Sequence, residues 1–368
     1  MQGMQFESNS KELPYLLALK MIKGVGSATA LKLIQHFHSA QAIFNSSKEQ
    51  LEQAKLKPAL IKQINHFNFS TVDKLLLWAE QPDRQVISIN CPYYPPLLAQ
   101  INSPPLVLFT LGNPEVLQTP QISIVGTRNP TLPGLNNTNL FSQAISDQGL
   151  SITSGLAMGV DGEAHRAALE AKGFTIAVMG TGLNRVYPAM HKQLAHKIAD
   201  NGVLVSEQFP DEPIQQGCFP QRNRIIAGLS LGTLVIEAAK KSGSLITAKH
   251  SMEEGREVFA VPGSIHNPQS KGCHSLIKQG AKLVESIEDI IEDLPCIAKS
   301  QVDKSPQVIR PSLDNSDSEF LKFIDFDITP IDTIVSRSQL TVEAVTNKLL
   351  LLELDGWIIN SAGGYIRQ

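Results

Sequence analysis

Apolar and polar positions follow three different rhythms along the chain. Up to about residue 78, apolar residues recur at helical spacing in "LPYLLALKMI", "SATALKLIQHF" and "STVDKLLLWAE", which predicts a small domain of short helices. From about 85 to 294, continuous apolar runs appear at intervals: "QISIVG", "LSIT", "FTIAVMG", "GVLVSE", "GTLVIE", "REVFAVPG" and "AKLVES". Each reads as a buried strand. Between them lie helical patterns such as "LNNTNLFSQAISDQ", "VDGEAHRAALEA", "MHKQLAHKIAD" and "SLITAKHSMEE". This alternation predicts an α/β fold, a parallel sheet with helices on both faces. "CIAKSQVDKSPQVIRPSLDNSDSE" is polar, carries Pro and Ser, and lacks a period, so a linker is expected there. The end returns to order as helix, helix and a hairpin turning at Gly363-Gly364, the sequence of elements in a winged helix. The expected domains are 1–78, 85–294 and 319–368, with a linker over 295–318.

Bulk properties narrow the class. A chain of 368 residues exceeds what one core usually supports. Hydrophobic content of 42% and charged content of 18% are those of a soluble globular protein. Charges interrupt every apolar run well before about 18 residues, so no membrane span is expected. The N-terminus lacks the basic start and apolar stretch of a signal peptide. Cys91, Cys218, Cys273 and Cys296 are scattered, which fits reduced thiols in a cytoplasm.

Ligands of an open parallel sheet bind beyond the carboxyl ends of its strands. The loops there carry Gly126, Thr127 and Arg128; Ser154 and Gly155; "TGLNRVYP"; and Lys240, Lys241, Ser242, Gly243 and Ser244. Small residues let backbone N–H groups approach an anion, and helix N-termini add partial positive charge. Taken singly, each is ordinary turn geometry; together, on one edge, they describe a phosphate-binding rim. The net charge is −3, yet residues 215–282 hold nine Lys or Arg, Lys249 among them, against four Glu, a local net of +5. A basic face in a mildly acidic chain is an electrostatic footprint for nucleic acid. "FPQRNRIIAGLS" completes it: Ile225, Ile226 and Leu229 point to the core, while Arg222 and Arg224 stay near the helix start. Phe219, ahead of the helix, offers a ring to a base or else staples the helix start.

Nucleotide-enzyme signatures fail. "GTGLNRVYP" has Val186 where a dinucleotide fingerprint needs glycine, and no phosphate-loop motif exists. His191 and His196 read as surface residues, Cys218 as a buried or incidental thiol. Asp161, Glu163 and His165 read more simply as an acidic helix start than as an acid–base set.

"SIVGTRNPTLPG", "ITSGLAMGVDGEAHRAAL", "VMGTGLNRVYP", "FPQRNRIIAGLS", "VIEAAKKSGSLITAKHSMEEGREVFAVPGS" and "KGCHSLIKQGAKLV" together resemble the DNA-processing protein A family (DprA, also called Smf). The resemblance implies an extended Rossmann-like domain over 85–294, flanked by an N-terminal helical domain of SAM or helix-hairpin-helix type and a C-terminal winged helix. It implies a cytoplasmic, non-enzymatic protein without a cofactor. Such a protein binds single-stranded DNA, dimerises through the Rossmann-like domain, and helps load the RecA recombinase during natural transformation. The family's glycine-x-arginine loop falls on Gly126, Thr127 and Arg128. Its aromatic–arginine motif falls on Phe219, Pro220, Arg222, Asn223 and Arg224, and its serine-glycine-serine loop on Ser242, Gly243 and Ser244. A basic residue sometimes found three before the aromatic is Gln216 here.

"IKGVGSATALKL" resembles a helix-hairpin-helix whose Gly24 and Gly26 would turn amides toward phosphate; a tight helix–helix turn explains it equally. Residues 330–368 carry Arg337, Lys348 and Arg367 against four acids, a net of −1, so protein contact rather than groove docking is expected of the winged helix. The rival reading is a nucleotide phosphoribohydrolase with Glu237 as its acid; "GLSLGTLVIEAA" has Leu229 and Ser230 where that enzyme loop needs glycines.

Overall fold

The computed structural model describes residues 11–215, 217–294, 315–361 and 363–367. They fall into two compact units, 1–301 and 302–368. Most of the expected linker, 295–314, lies outside the described residues, as does Gln216.

The larger unit is built on a nine-stranded sheet. Its strands are β1 (Arg84–Ser88), β2 (Val107–Gly112), β3 (Gln121–Val125), β4 (Ser151–Ser154), β5 (Thr175–Met179), β6 (Val203–Ser206), β7 (Gly232–Val235), β8 (Glu257–Ala260) and β9 (Lys282–Leu283). The order is β1-β2-β6-β5-β4-β3-β7-β8-β9. From β6 to β9 every pairing is parallel, and all seven strands expected from the apolar runs form. Their residues are buried on both faces, as Ile122, Ile124, Ile176, Val178, Val203 and Leu234 illustrate. Helices therefore cover both sides. The sequence reading did not anticipate β1 and β2, which add an antiparallel edge through β6. Successive strands β3 to β6 step one way, then β7 returns to the other side of β3, with Ile122 opposite Gly232 and Val125 opposite Val235. That reversal opens a crevice at the strand ends.

Six short helices precede the sheet, from Leu13–Met21 to Ser70–Ala79. Leu17, Leu33 and Trp78 of these helices share one apolar cluster with Val86, Phe109, Leu183 and Leu204 of the sheet region. Trp78 stands edge-on to Phe109 at 5.7 Å and its indole N–H donates to Asn184 Oδ1 at 2.9 Å.

The smaller unit is a winged helix. Helices Ile331–Ser338 and Val342–Leu354 precede a hairpin of Ile358–Ser361 with Gly364–Arg367, and Tyr365 also bridges to Thr329. Phe320, Ile334, Val345, Leu349 and Ile358 form its core. Leu350, Leu351 and Leu354 face solvent on the second helix. Arg337 pairs with Asp325, Lys348 with Asp317, and Arg367 lies over Phe326. Among the described residues, no helix is long and apolar enough to cross a membrane.

Candidate nucleic-acid interface

The crevice between the ends of β3 and β7 is a cleft of ≈ 650 Å³. Gly126, Arg128, Phe219, Arg222, Asn223, Ser242, Gly243 and Ser244 all line it. Close backbone packing sets its walls. A Cβ on Gly126 would fall 2.5 Å from Val160 Cγ2, so the loop after β3 lies flat on the start of the Val160–Glu170 helix. Gly159 has φ +78°, and a Cβ there would meet Thr127 O at 2.4 Å. The Thr127 N–H donates to Glu237 O at 2.7 Å, tying the loops after β3 and β7 across the reversal.

The arginines take three different positions. Arg128 is exposed at the rim and forms no salt bridge among the described residues. Arg222 is only 7% exposed. Its Nη1 donates to Gly155 O at 2.6 Å and to Val178 O, and its Nε to Asn223 Oδ1 at 3.2 Å. Burial lowers its pKa to about 10, with Asp161 opposing and Arg128 adding to the shift, so it stays charged at neutral pH. Arg222 is thus a charged floor that ties the ends of β4 and β5. Gly155 makes this seat possible: a Cβ would lie 2.4 Å from Arg222 Nη1.

Arg224 corrects the sequence reading, which placed it beside Arg222. Its Nη2 donates to both oxygens of Glu207, at 2.7 and 2.6 Å. Ser27, at the start of the Ser27–Phe37 helix, donates its hydroxyl to the same carboxylate at 3.2 Å. Arg224 therefore faces the N-terminal helices, away from the cleft. Gly24 and Gly26 of the hairpin turn are exposed, with open space around both, and Lys23 N–H donates to Gln63 Oε1 at 3.1 Å. At the Arg224–Glu207 seam, burial lowers the pKa of Lys20, against the opposing pull of Glu207.

Phe219 also sits differently than expected. The helix starts at Cys218, so the ring occupies its first turn, where Pro220 costs no helical hydrogen bond. The half-buried ring rests on Gly180, whose Cβ would fall 2.7 Å from Phe219 Cδ1. Tyr187 lies 5.5 Å from it, tilted by 50°, and is 43% exposed. Sequence reading missed Tyr187; its position in a strand-end loop was the available signal. Exposed Ile214 and Ile246 also line the cleft.

On the opposite side, Ser242 and Ser244 hydroxyls lie 2.7 Å apart and Asn223 Nδ2 donates to Gly243 O at 3.3 Å. Gly243 caps the Ser244–Glu253 helix, whose N-terminus brings partial positive charge to the cleft.

The remaining candidates separate. Ser154 is fully buried and donates to Ile124 O at 2.7 Å, a core role rather than a rim one. Thr127 is buried behind the loop. Lys249 lies away from the cleft lining and pairs with Glu253 at 3.5 Å. Asp161 does line the cleft, where it accepts from the N–H groups of Gly155 and Ala157, and burial pushes its carboxyl pKa up. His165 is fully buried, its Nδ1 2.6 Å from Thr175 Oγ1, and burial pushes its pKa down to about 3. Glu163 pairs with Arg166. His191, expected at the surface, is buried and donates Nδ1–H to Leu156 O at 3.0 Å. His196 is exposed. Cys218 is buried and its thiol pKa is raised by desolvation. Glu237 accepts from Thr131 N–H at 2.9 Å and Thr131 Oγ1 at 2.6 Å, outside the cleft lining. The hydrolase reading therefore finds its acid engaged in capping a helix.

Residues 85–295 match the model of the DNA recombination-mediator protein A family, and 304–364 match the DprA winged helix domain. Protein Smf of Escherichia coli (strain K12) is 41% identical over 323 residues, covering 86% of each chain. DNA processing protein DprA of Bacillus subtilis (strain 168) is 43% identical over 250 residues, covering 68% of this chain and 82% of that one. The X-ray structure of DNA processing protein A from Streptococcus pneumoniae superposes with a TM-score of 0.66 at 36% identity, covering 76% of this chain and 97% of that one. A structure of DNA processing protein A from Helicobacter pylori, reported for its single-stranded DNA binding mode, gives a TM-score of 0.53 at 29% identity over 58% of this chain and 96% of that one.

Proposed function

Because the chain belongs to the DNA recombination-mediator protein A family, we propose that its cleft holds single-stranded DNA. One observation carries the reading: a single cleft brings together exposed Arg128, the Ser242–Gly243–Ser244 helix start and the Phe219–Tyr187 ring pair. Arg128 and the helix start grip phosphates, with Gly126 allowing close approach. Phe219, backed by Tyr187, stacks a base. Arg222 and Asn223 fix the shape of the floor, and Thr127, Ser154 and Gly155 hold its loops. Phosphate contacts and stacking carry little sequence information, so binding is largely sequence-independent. Helicobacter pylori DNA processing protein A, a structural relative, is described as binding single-stranded DNA.

The family likeness extends this reading to protection of incoming DNA, loading of RecA during natural transformation, a homodimer formed through the sheet domain, and a cytoplasmic location. The winged helix fits a protein contact better than a DNA groove: its three basic residues after position 330 are engaged within the unit, while Leu350, Leu351 and Leu354 face outward.

Titration with labelled oligo-dT and a matched duplex at several salt concentrations tests the proposal. Arg128→Ala should lower the logarithmic salt slope by about 0.7, and Phe219→Ala should cost about 1–3 kcal/mol. Equal affinity for duplex, or an unchanged slope in folded Arg128→Ala protein, would overturn it.

A further inference from the structure

A second groove lies near the cleft along the chain. It has a volume of ≈ 790 Å³ and runs between the Val160–Glu170 and Lys192–Asn201 helices. Its upper end is Met190 and His191, three residues beyond Tyr187 of the cleft. The buried His191 hydrogen bond to Leu156 O fastens this turn to the loop after β4. Gly162 gives the imidazole its room, since a Cβ there would fall 2.6 Å from His191 Cε1. The Tyr187–His191 segment therefore runs from the lining of the cleft to the lining of the groove.

The groove has the makings of a single-strand track. Arg166, Lys172 and Lys197 line it, against Glu170 and Asp200. Arg166 is occupied by Glu163 at 2.6 Å, but Lys172 and Lys197 form no ion pair among the described residues. Phe174, just before β5, is 50% exposed, and Met190 is 69% exposed. Two lysines without ion pairs beside an exposed ring offer the phosphate and stacking contacts that hold an unpaired strand without reading its sequence, although Glu170 and Asp200 bring the groove close to neutral overall. A wall formed by the 10 residues of the Lys192–Asn201 helix is about 15 Å long, enough for roughly four stacked nucleotides.

We propose that single-stranded DNA leaving the cleft follows the Tyr187–Met190 segment and continues down this groove, with Lys172 and Lys197 on its phosphates and Phe174 against a base. The proposal rests on the single-strand reading of the cleft, and oligonucleotide length separates the two. Oligo-dT of about 6 nucleotides fills the cleft alone, whereas one of about 20 also reaches the groove. The Lys172→Ala/Lys197→Ala double variant should bind the long oligonucleotide at least about tenfold more weakly, with a salt slope lower by about 1.4, and bind the short one normally. Phe174→Ala, measured separately, should weaken only the long oligonucleotide. Normal affinity and slope for the long oligonucleotide in these folded variants would overturn the proposal and leave the groove to a protein partner. Equal losses at both lengths would overturn it as well. Failure of the unaltered protein to bind either length would instead defeat the reading of the cleft.

Discussion

Replacing Glu207 by Gln separates two roles that Arg224 can have. The carboxylate receives both strong bonds of the Arg224 guanidinium and the Ser27 hydroxyl, and the two side chains are 18% and 11% exposed. Arg224 Nη1 has no hydrogen-bond partner. Glutamine keeps the shape but removes the charge. Charge-assisted hydrogen bonds contribute about 1.5–3 kcal/mol, and a buried pair that loses one partner costs about 3–5 kcal/mol. Because this seam is not fully enclosed, the lower range applies. We expect a loss of about 2–3 kcal/mol, which lowers Tm by about 4–6 °C in a unit of this size. Oligo-dT affinity should fall modestly, with no change in salt slope, because Arg224 anchors a domain and touches no phosphate. If Arg224 were instead a phosphate ligand held in check by Glu207, the same substitution would free it. Binding would then tighten and the slope would steepen by about 0.7. The two accounts differ in sign. Thermal melting and salt-dependent anisotropy on Glu207→Gln protein decide between them, and an unchanged Tm or a steeper slope would refute the anchor.

Two further outcomes follow from the floor of the cleft and its supports. Gly155→Ala should displace the Arg222 guanidinium from Gly155 O and Val178 O, costing about 3 kcal/mol or more in chemical denaturation and weakening oligo-dT binding; near-native stability would show that the seat tolerates a methyl group. His165 is neutral when folded, with its pKa lowered to about 3, so the unfolded chain binds the extra proton between that value and the ordinary 6.5. Its contribution is fully present above pH 6.5 and is lost as pH falls toward 3, by up to about 1.4 kcal/mol per pH unit. His165→Gln should flatten that stretch of the stability profile, and an identical profile would contradict the assignment.

The parallel strands were legible because strands buried on both faces are unbroken apolar runs. β1 and β2 were not named as strands, although "YYPPLLAQINSPPLVLFTLGN", which contains β2, resembles the family's entry segment to the Rossmann-like domain; the prolines between them break the apolar run. The rim was legible for a related reason: once strand ends are known, the loops beyond them share an edge. Arg224 was misplaced by a boundary. With the helix starting at Cys218, residues two apart stand about 200° apart around its axis, so Arg222 and Arg224 cannot share the cleft. Tyr187 and Phe219 are 32 positions apart, and no local pattern announces their contact. Glu207 and Ser27 are further apart still. The merging of the first helices with the sheet was hidden because amphipathic patterns show which face is apolar, not what covers it.

The apolar cluster shared by Leu17, Leu33, Trp78, Phe109, Leu183 and Leu204 bears on any shortened version of this protein. A fragment starting near residue 85 would lose the shelter over one flank of its sheet and leave Glu207 without its serine. Aggregation or softened melting of such a fragment would measure that bare flank, and so would reveal nothing about how the intact chain grips a polynucleotide.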